Sequence, residues 1–174
     1  MSTKAPLMLL AVLLASVSAA FAQNGSPPPR PESQPSPQTE RLKNGIAHFE
    51  RAFYVLTPQK REAEAAAEFA TALTEFEGEV AASPASIEAH TYLARIHAFR
   101  KDFRKAGAHY DQVASLQPFN VDACVLAALA YIDAKDVAEA RLRLVDAKTR
   151  TMDPDVLARL DEYIARVDAL RRES

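Results

Sequence analysis

The sequence predicts an all-α fold, a short solenoid of helix hairpins, on three observations. Of the 174 residues only four are glycine and none is tryptophan, which argues against a β-sandwich because its turns use glycine freely. From Glu40 onward the chain is rich in Ala, Glu, Arg and Leu, residues that favour helices. Ala72, Ala106 and Ala140 follow one another at intervals of 34 residues, which indicates a repeated helical unit.

Two further repeated features describe how the helices of a unit pack. A large apolar residue follows each repeated alanine by four positions: Phe76, Tyr110 and Leu144. A small residue lets paired helices approach closely, and the larger side chain fills the space between them. Pro84 and Pro118 are also 34 residues apart, and proline ends a helix because it cannot continue the backbone hydrogen bonds. The clearest unit therefore runs from Ile87 to Asn120.

This pattern resembles the tetratricopeptide repeat (TPR) family, from about Gly45 to the C terminus. Leu93, Ala94 and His97 stand where the family has its leucine, small residue and aromatic residue on the first helix of a unit. The helical domain is expected over residues 40–174. Its parts are an irregular unit (40–86), two repeats (87–120 and 121–153) and a C-terminal capping helix (154–172).

The first unit departs from the repeat. Its second helix is expected over Glu62–Ala82, but roughly ten extra residues separate that helix from the preceding apolar pattern. Thr57-Pro58 predicts the break, with Thr57 as the N-cap and Pro58 at the first position of an extended second helix.

The first 22 residues have the three parts of a secretory signal peptide. Lys4 precedes an apolar run over residues 7–17, and the segment ends in the tripeptide AFA, a typical cleavage site. The run is short for a membrane span of about 20 residues, although an uncleaved anchor is the alternative. We therefore expect a bacterial exported protein, periplasmic or envelope-associated, whose mature chain begins at Gln23 and has no integral membrane span.

Residues 23–39 hold six of the eleven prolines and almost no apolar side chains. Proline fixes φ and removes a backbone donor, so this segment can neither continue a helix nor bury much surface. We expect a disordered linker, extending roughly 50 Å at about 3.1 Å per residue. The alternative is a ligand for an SH3-like or WW-like groove.

Composition and motifs exclude several function classes. A net charge of −2 does not favour nucleic acid as a partner. A single cysteine excludes an intramolecular disulfide and a cysteine-rich zinc site. The sequence contains no phosphate-binding loop, dinucleotide fingerprint, zincin motif or serine-nucleophile elbow. We therefore expect no enzyme, no catalytic residue and no cofactor.

Histidine and cysteine offer the remaining candidates for site chemistry. His90 and His97 are seven residues apart and could share a helix face suited to a metal. His97, however, falls at the packing position of the repeat, so a packing role is predicted and no metal site. Cys124 falls at a core position, which predicts a buried and unreactive thiol.

The resemblance implies a function in protein binding, since first helices of TPR units line a concave groove for extended peptides or partner helices. Carried over by position, the groove residues are Arg51, Tyr54, Thr91, Arg95, Phe99, Val125, Leu129 and Ile132. Arg95 and Phe99 are expected to face solvent, whereas packing against the next helix is the alternative for Leu129 and Ile132. An apolar strip with two arginines suits a peptide that has a hydrophobic anchor and an acidic group.

Two function classes follow from these expectations. The first is an exported interaction module or scaffold that binds a protein or peptide partner. The second is a non-catalytic accessory subunit of an envelope enzyme or secretion machine.

Overall fold

The computed structural model describes residues 39–173, which form seven α-helices and one π-helical segment and, over that range, no strand. The signal peptide predicted for residues 1–22 and nearly all of the predicted linker lie outside the described residues. The elements are α1 (Glu40–Glu50), the π-helical segment (Arg51–Leu56), α2 (Glu62–Ala82), α3 (Ile87–Phe99), α4 (Phe103–Leu116), α5 (Val121–Asp133), α6 (Val137–Thr149) and α7 (Pro154–Glu173).

Helices pack mainly against their neighbours in the chain. α1 pairs with α2, α3 with α4 and α5 with α6, while α7 covers α6. Each pair also contacts the next, and α1 touches α3. Such nearest-neighbour packing of helix hairpins is the architecture of an α-solenoid. The predicted all-α, short TPR-like solenoid is confirmed.

Burial follows the 34-residue period. Ala72, Ala106 and Ala140 are each 0% exposed. The larger residues four positions later, Phe76, Tyr110 and Leu144, are all buried as well. The alanines and their apolar partners therefore occupy equivalent core positions in three successive units.

The turn inside each regular unit also repeats. Lys101 and Lys135, 34 residues apart, both have the left-handed backbone conformation, with φ of 65° and 60°. Asp102 and Asp136 follow them at the N-caps of α4 and α6, and the Asp136 carboxylate accepts a hydrogen bond from the Glu139 amide. The Asp136 side chain thereby satisfies a backbone N–H group that has no partner within the helix, whereas the Asp102 side chain makes no capping hydrogen bond.

The first unit differs from the sequence prediction at Thr57. Its backbone is helical (φ −61°, ψ −48°), its amide donates to the Ala52 carbonyl, and its hydroxyl donates to the same oxygen at 2.8 Å. An N-cap needs a non-helical backbone, so Thr57 ends the first helix instead of starting the second. A turn over residues 57–60 follows, and α2 then begins at Glu62, the first residue of the range Glu62–Ala82 expected from the sequence. The prediction of an extended second helix starting at Pro58 is wrong.

Two glycines allow close approach between helices. A Cβ on Gly45 of α1 would lie 2.7 Å from the Phe76 ring, and one on Gly107 of α4 would lie 2.9 Å from the Tyr131 ring. The absence of a side chain therefore lets each aromatic ring press against a helix backbone.

Membrane-spanning helices were a question raised by the N-terminal sequence. Within residues 39–173, none of the helices combines the length and the apolar character that a membrane span needs.

Candidate interaction surface

A group of partly exposed side chains lies where the π-helical segment meets the end of α3. Phe53, Tyr54, Val55 and Phe99 are 38%, 60%, 46% and 45% exposed. Phe53, Tyr54 and Phe99 are joined by ring contacts, and we call these three residues the aromatic face. Single exposed apolar side chains are common on protein surfaces, but a contiguous group of them marks a candidate binding site.

Ring contacts hold the aromatic face together. The Phe53 ring stacks on Phe49 at 5.5 Å between centroids and meets Tyr54 edge-on at 5.1 Å. Phe99 reaches across from α3, with its centroid 6.1 Å from that of Phe53 and 4.7 Å from that of buried Phe69. Contacts of this kind orient aromatic rings as well as burying their area. The face is therefore formed by two neighbouring units.

The π-helical segment is anchored on both sides of the exposed run. Ala52 and Leu56 are 0% and 1% exposed, and three consecutive apolar residues stand between them on the surface. Segments of π-helix are rare and occur frequently at functional sites. The fold thus presents these side chains from a backbone that the core holds in place.

Two arginines border the aromatic face. The Arg95 guanidinium lies over the Phe49 ring at 5.3 Å and over the Tyr92 ring at 5.8 Å. A guanidinium stacked on a ring keeps its N–H groups at the edge, where they can meet a carboxylate. Arg51 Nε lies 3.2 Å from Glu68 Oε1, and the other oxygen of Glu68 lies 2.5 Å from His48 Nδ1. Arg95 is therefore the better placed of the two for an acidic group.

The structure brings together only part of the predicted groove. Tyr54, Arg95 and Phe99 are linked through the rings of Phe49 and Phe53. The Arg51 side chain instead pairs with Glu68. Arg95 faces solvent as expected, but Phe99 also packs on Phe69. Phe99 therefore has a packing role as well as an exposed surface.

The remaining predicted groove residues offer less surface. Thr91 is half-buried and its hydroxyl donates to the Ile87 carbonyl of its own helix at 2.8 Å. Val125 is only 8% exposed and belongs to the core, and Leu129 and Ile132 are half-buried against that core. Packing against neighbouring helices therefore explains Val125, Leu129 and Ile132 on α5 better than the lining of a groove does.

Phe53 and Val55 are surface residues that the repeat pattern does not indicate. Phe53 follows Ile46 and Phe49 at the spacing of one helix face, a pattern that is typical of core residues. One feature of the sequence does indicate their exposure, the unbroken apolar run AFYVL at residues 52–56. An amphipathic helix that buries one face would interrupt such a run with polar residues.

Two further candidates for site chemistry lie in the core. His97 and Cys124 are both buried, as predicted. Burial raises the pKa of the Cys124 thiol to about 11, and the thiol donates to Asp146 Oδ2 at 3.6 Å, so it is protonated at neutral pH and a poor nucleophile. Within residues 39–173 no group of three His, Cys, Asp or Glu side chains is placed to hold a metal ion.

Comparisons with known proteins find likeness in structure. No protein-family model and no curated protein matches the sequence. The chain is similar to the N-terminal domain of stress-induced protein-1 (STI-1) from C. elegans, with a TM-score of 0.48 and 14% identity over 72% of this chain and 98% of that one. It is also similar to the first TPR of Spaghetti (RPAP3) bound to the HSP90 peptide SRMEEVD, with a TM-score of 0.45 and 13% identity over 71% of this chain and 95% of that one. At these identities the likeness concerns the arrangement of helices alone.

Proposed function

We propose that this chain is an exported protein-interaction module of the TPR type, which binds an extended peptide or a partner helix on the aromatic face. One observation carries the proposal: exposed aromatic rings from two successive units stand beside the stacked guanidinium of Arg95. Such a surface is suited to binding and contains no group suited to catalysis.

The chemistry of the face favours a particular class of partner. Aromatic and arginine side chains dominate the binding energy of protein interfaces, because they combine large apolar area with directional contacts. An apolar anchor of the partner would cover Phe53 and Tyr54, while a carboxylate would pair with Arg95. The proposed ligand is therefore a segment with an apolar side chain close to an acidic group.

A double substitution at the face tests this function. Peptides selected on the wild-type protein from a displayed random library serve as the probe, and their affinity is measured by isothermal titration calorimetry. Tyr54→Ala combined with Arg95→Gln is expected to weaken binding by about 30-fold, the scale of an interface hot spot of about 2 kcal/mol. Tyr54 is 60% exposed, so we expect the thermal unfolding midpoint to stay close to that of the wild type.

The matched control is Phe119→Ala. Phe119 is 79% exposed and lies in the turn between α4 and α5, away from the aromatic face. This variant should bind the selected peptides as the wild type does. Equal affinity of wild type and double variant would reject the aromatic face as the binding site.

Export is the second part of the proposal and has its own test. When the full chain is produced in a bacterial host, N-terminal sequencing of the exported protein should begin at Gln23, because the AFA tripeptide ends at residue 22. Ala20→Lys, which places a charged side chain in the cleavage site, should accumulate the uncleaved precursor. An exported wild-type protein that begins at Met1 or Ser2 would contradict cleavage.

A further inference from the structure

Three of the four histidines form one cluster between α3 and α4. His90 and His97 come from α3 and His109 comes from α4. The Nδ1 atoms of His90 and His109 are 3.1 Å apart, and the rings of His97 and His109 stack in parallel with centroids 5.5 Å apart. We call these three residues the histidine cluster. His90 and His97 are each only 5% exposed.

Hydrogen bonding assigns the protons of the cluster. His90 Nε2 lies 3.0 Å from the Pro84 carbonyl oxygen, which can only accept, so this nitrogen carries a hydrogen. In neutral His90 the other nitrogen, Nδ1, then accepts a hydrogen bond from Nδ1–H of His109. His97 Nδ1 is buried and makes no hydrogen bond, although Asp102 Oδ2 lies 3.5 Å away. The observed contact between His90 and His109 therefore requires that one of the two facing Nδ1 atoms carries no proton.

An additional proton between the facing Nδ1 atoms of His90 and His109 has no favourable place in this arrangement. On His90 Nδ1 it would face the donor of His109 across 3.1 Å. Burial lowers the pKa of His109 to about 4, and His90, His97 and Lys105 add to the effect. Burial also lowers the pKa of His97, where Asp102 opposes the shift while Lys105 and Arg100 add to it.

Where α4 packs against α5, the carboxylate of Asp111 on α4 already has partners. Tyr131 of α5 packs against Gly107 of α4, and the Tyr131 hydroxyl donates to Asp111 at 2.8 Å. Asp111 also accepts from Arg143 Nε at 2.6 Å. Its carboxylate is therefore already neutralised by a cation from α6.

We propose that the histidine cluster is an acid-sensitive latch, which holds α3 on α4 while its rings are neutral and loosens this pair of helices when it gains a proton. Protonation of His109 in the unfolded chain occurs near the ordinary value of 6.5, whereas in the folded protein the pKa is about 4. Because the unfolded state then binds more protons, the stabilisation is complete above about pH 6.5 and is lost as the pH falls towards 4.

Substitution of the cluster by non-titrating side chains tests the latch. His109→Asn keeps an amide N–H near the place of Nδ1, and His97→Phe keeps a ring at the packing position. Chemical denaturation of each single variant and of the double variant is compared with the wild type at pH 7 and pH 4.5. Lowering the pH should raise the unfolding equilibrium constant of the wild type at least about tenfold more than that of the double variant.

His48→Asn is the matched control, since His48 lies on α1 beside Glu68 and outside the cluster. It should retain the full acid response of the wild type. The latch is refuted if the double variant and the wild type respond equally, or if His48→Asn removes the response. If His109→Asn failed to fold, the titration of His109 in the wild-type protein would decide the proposal instead.

The proton of His109 can also be followed directly. In the folded wild-type protein, the imidazole carbon-bound proton of His109 should titrate by NMR with a midpoint below pH 5. A midpoint near 6.5 would overturn the proposal. These measurements need no partner, so they succeed or fail independently of the binding function proposed for the aromatic face.

Discussion

Replacing Phe76 with alanine is expected to lower the free energy of unfolding by about 3–5 kcal/mol. Phe76 is 0% exposed, its ring stacks on Tyr92 with 4.9 Å between centroids, and it presses against Gly45 of α1. Alanine would leave a cavity that three helices cannot close, because the surrounding side chains are themselves packed. Denaturation in urea measures the loss.

Phe119→Ala provides the matched control for the same chemical change. Its side chain is 79% exposed, so the same truncation removes little buried area and should change the free energy of unfolding by less than about 0.5 kcal/mol. A similar loss in both variants would mean that Phe76 does not occupy the core position that the 34-residue period assigns to it.

Arg150→Met is expected to lower the free energy of unfolding by about 2–3 kcal/mol, the scale of hydrogen bonds to a charged group. The Arg150 guanidinium donates to the carbonyl oxygens of Ala114 at 2.6 Å and Pro118 at 3.3 Å, and to Asp146 at 2.7 Å. Ala114 belongs to the last turn of α4, where carbonyls have no partner inside the helix. Methionine preserves the apolar stem and leaves these acceptors unsatisfied.

Arg104→Met is the control for loss of an arginine at an exposed ion pair. Arg104 lies 2.9 Å from Asp136, but its side chain is 73% exposed, and exposed pairs contribute about 0–1 kcal/mol. Thermal and urea unfolding of both variants would separate the two roles. If Arg150→Met proved as mild as Arg104→Met, the contacts to the α4 carbonyls would not stabilise the fold.

The sequence alone determined the repeating part of this protein. Equal spacing of Ala72, Ala106 and Ala140 predicted three equivalent core positions, and burial places all three there. Such predictions succeed because the partners of a repeated position lie in the same or the next hairpin, so packing recurs along the chain at a constant interval.

Only the tertiary structure decided the non-repeating features. Phe53 continues a core-like spacing, yet it is partly exposed because the π-helical segment meets the end of α3 there. The repeat position of Val125 predicts a groove residue, yet α5 lies between other helices and Val125 is buried. The 34-residue period indicates which positions are equivalent, but it does not indicate how much of each side chain the neighbouring helices bury.

Side-chain contacts between different helices could likewise not be predicted from the sequence. His90 and His109 lie on different helices, and Arg150 bonds a carbonyl 36 residues earlier in the chain. Their side-chain atoms meet only because hairpins cross at particular distances and rotations. Helix propensity and apolar spacing specify the faces that become buried, whereas the ring pairs and hydrogen bonds at those faces depend on the packed geometry.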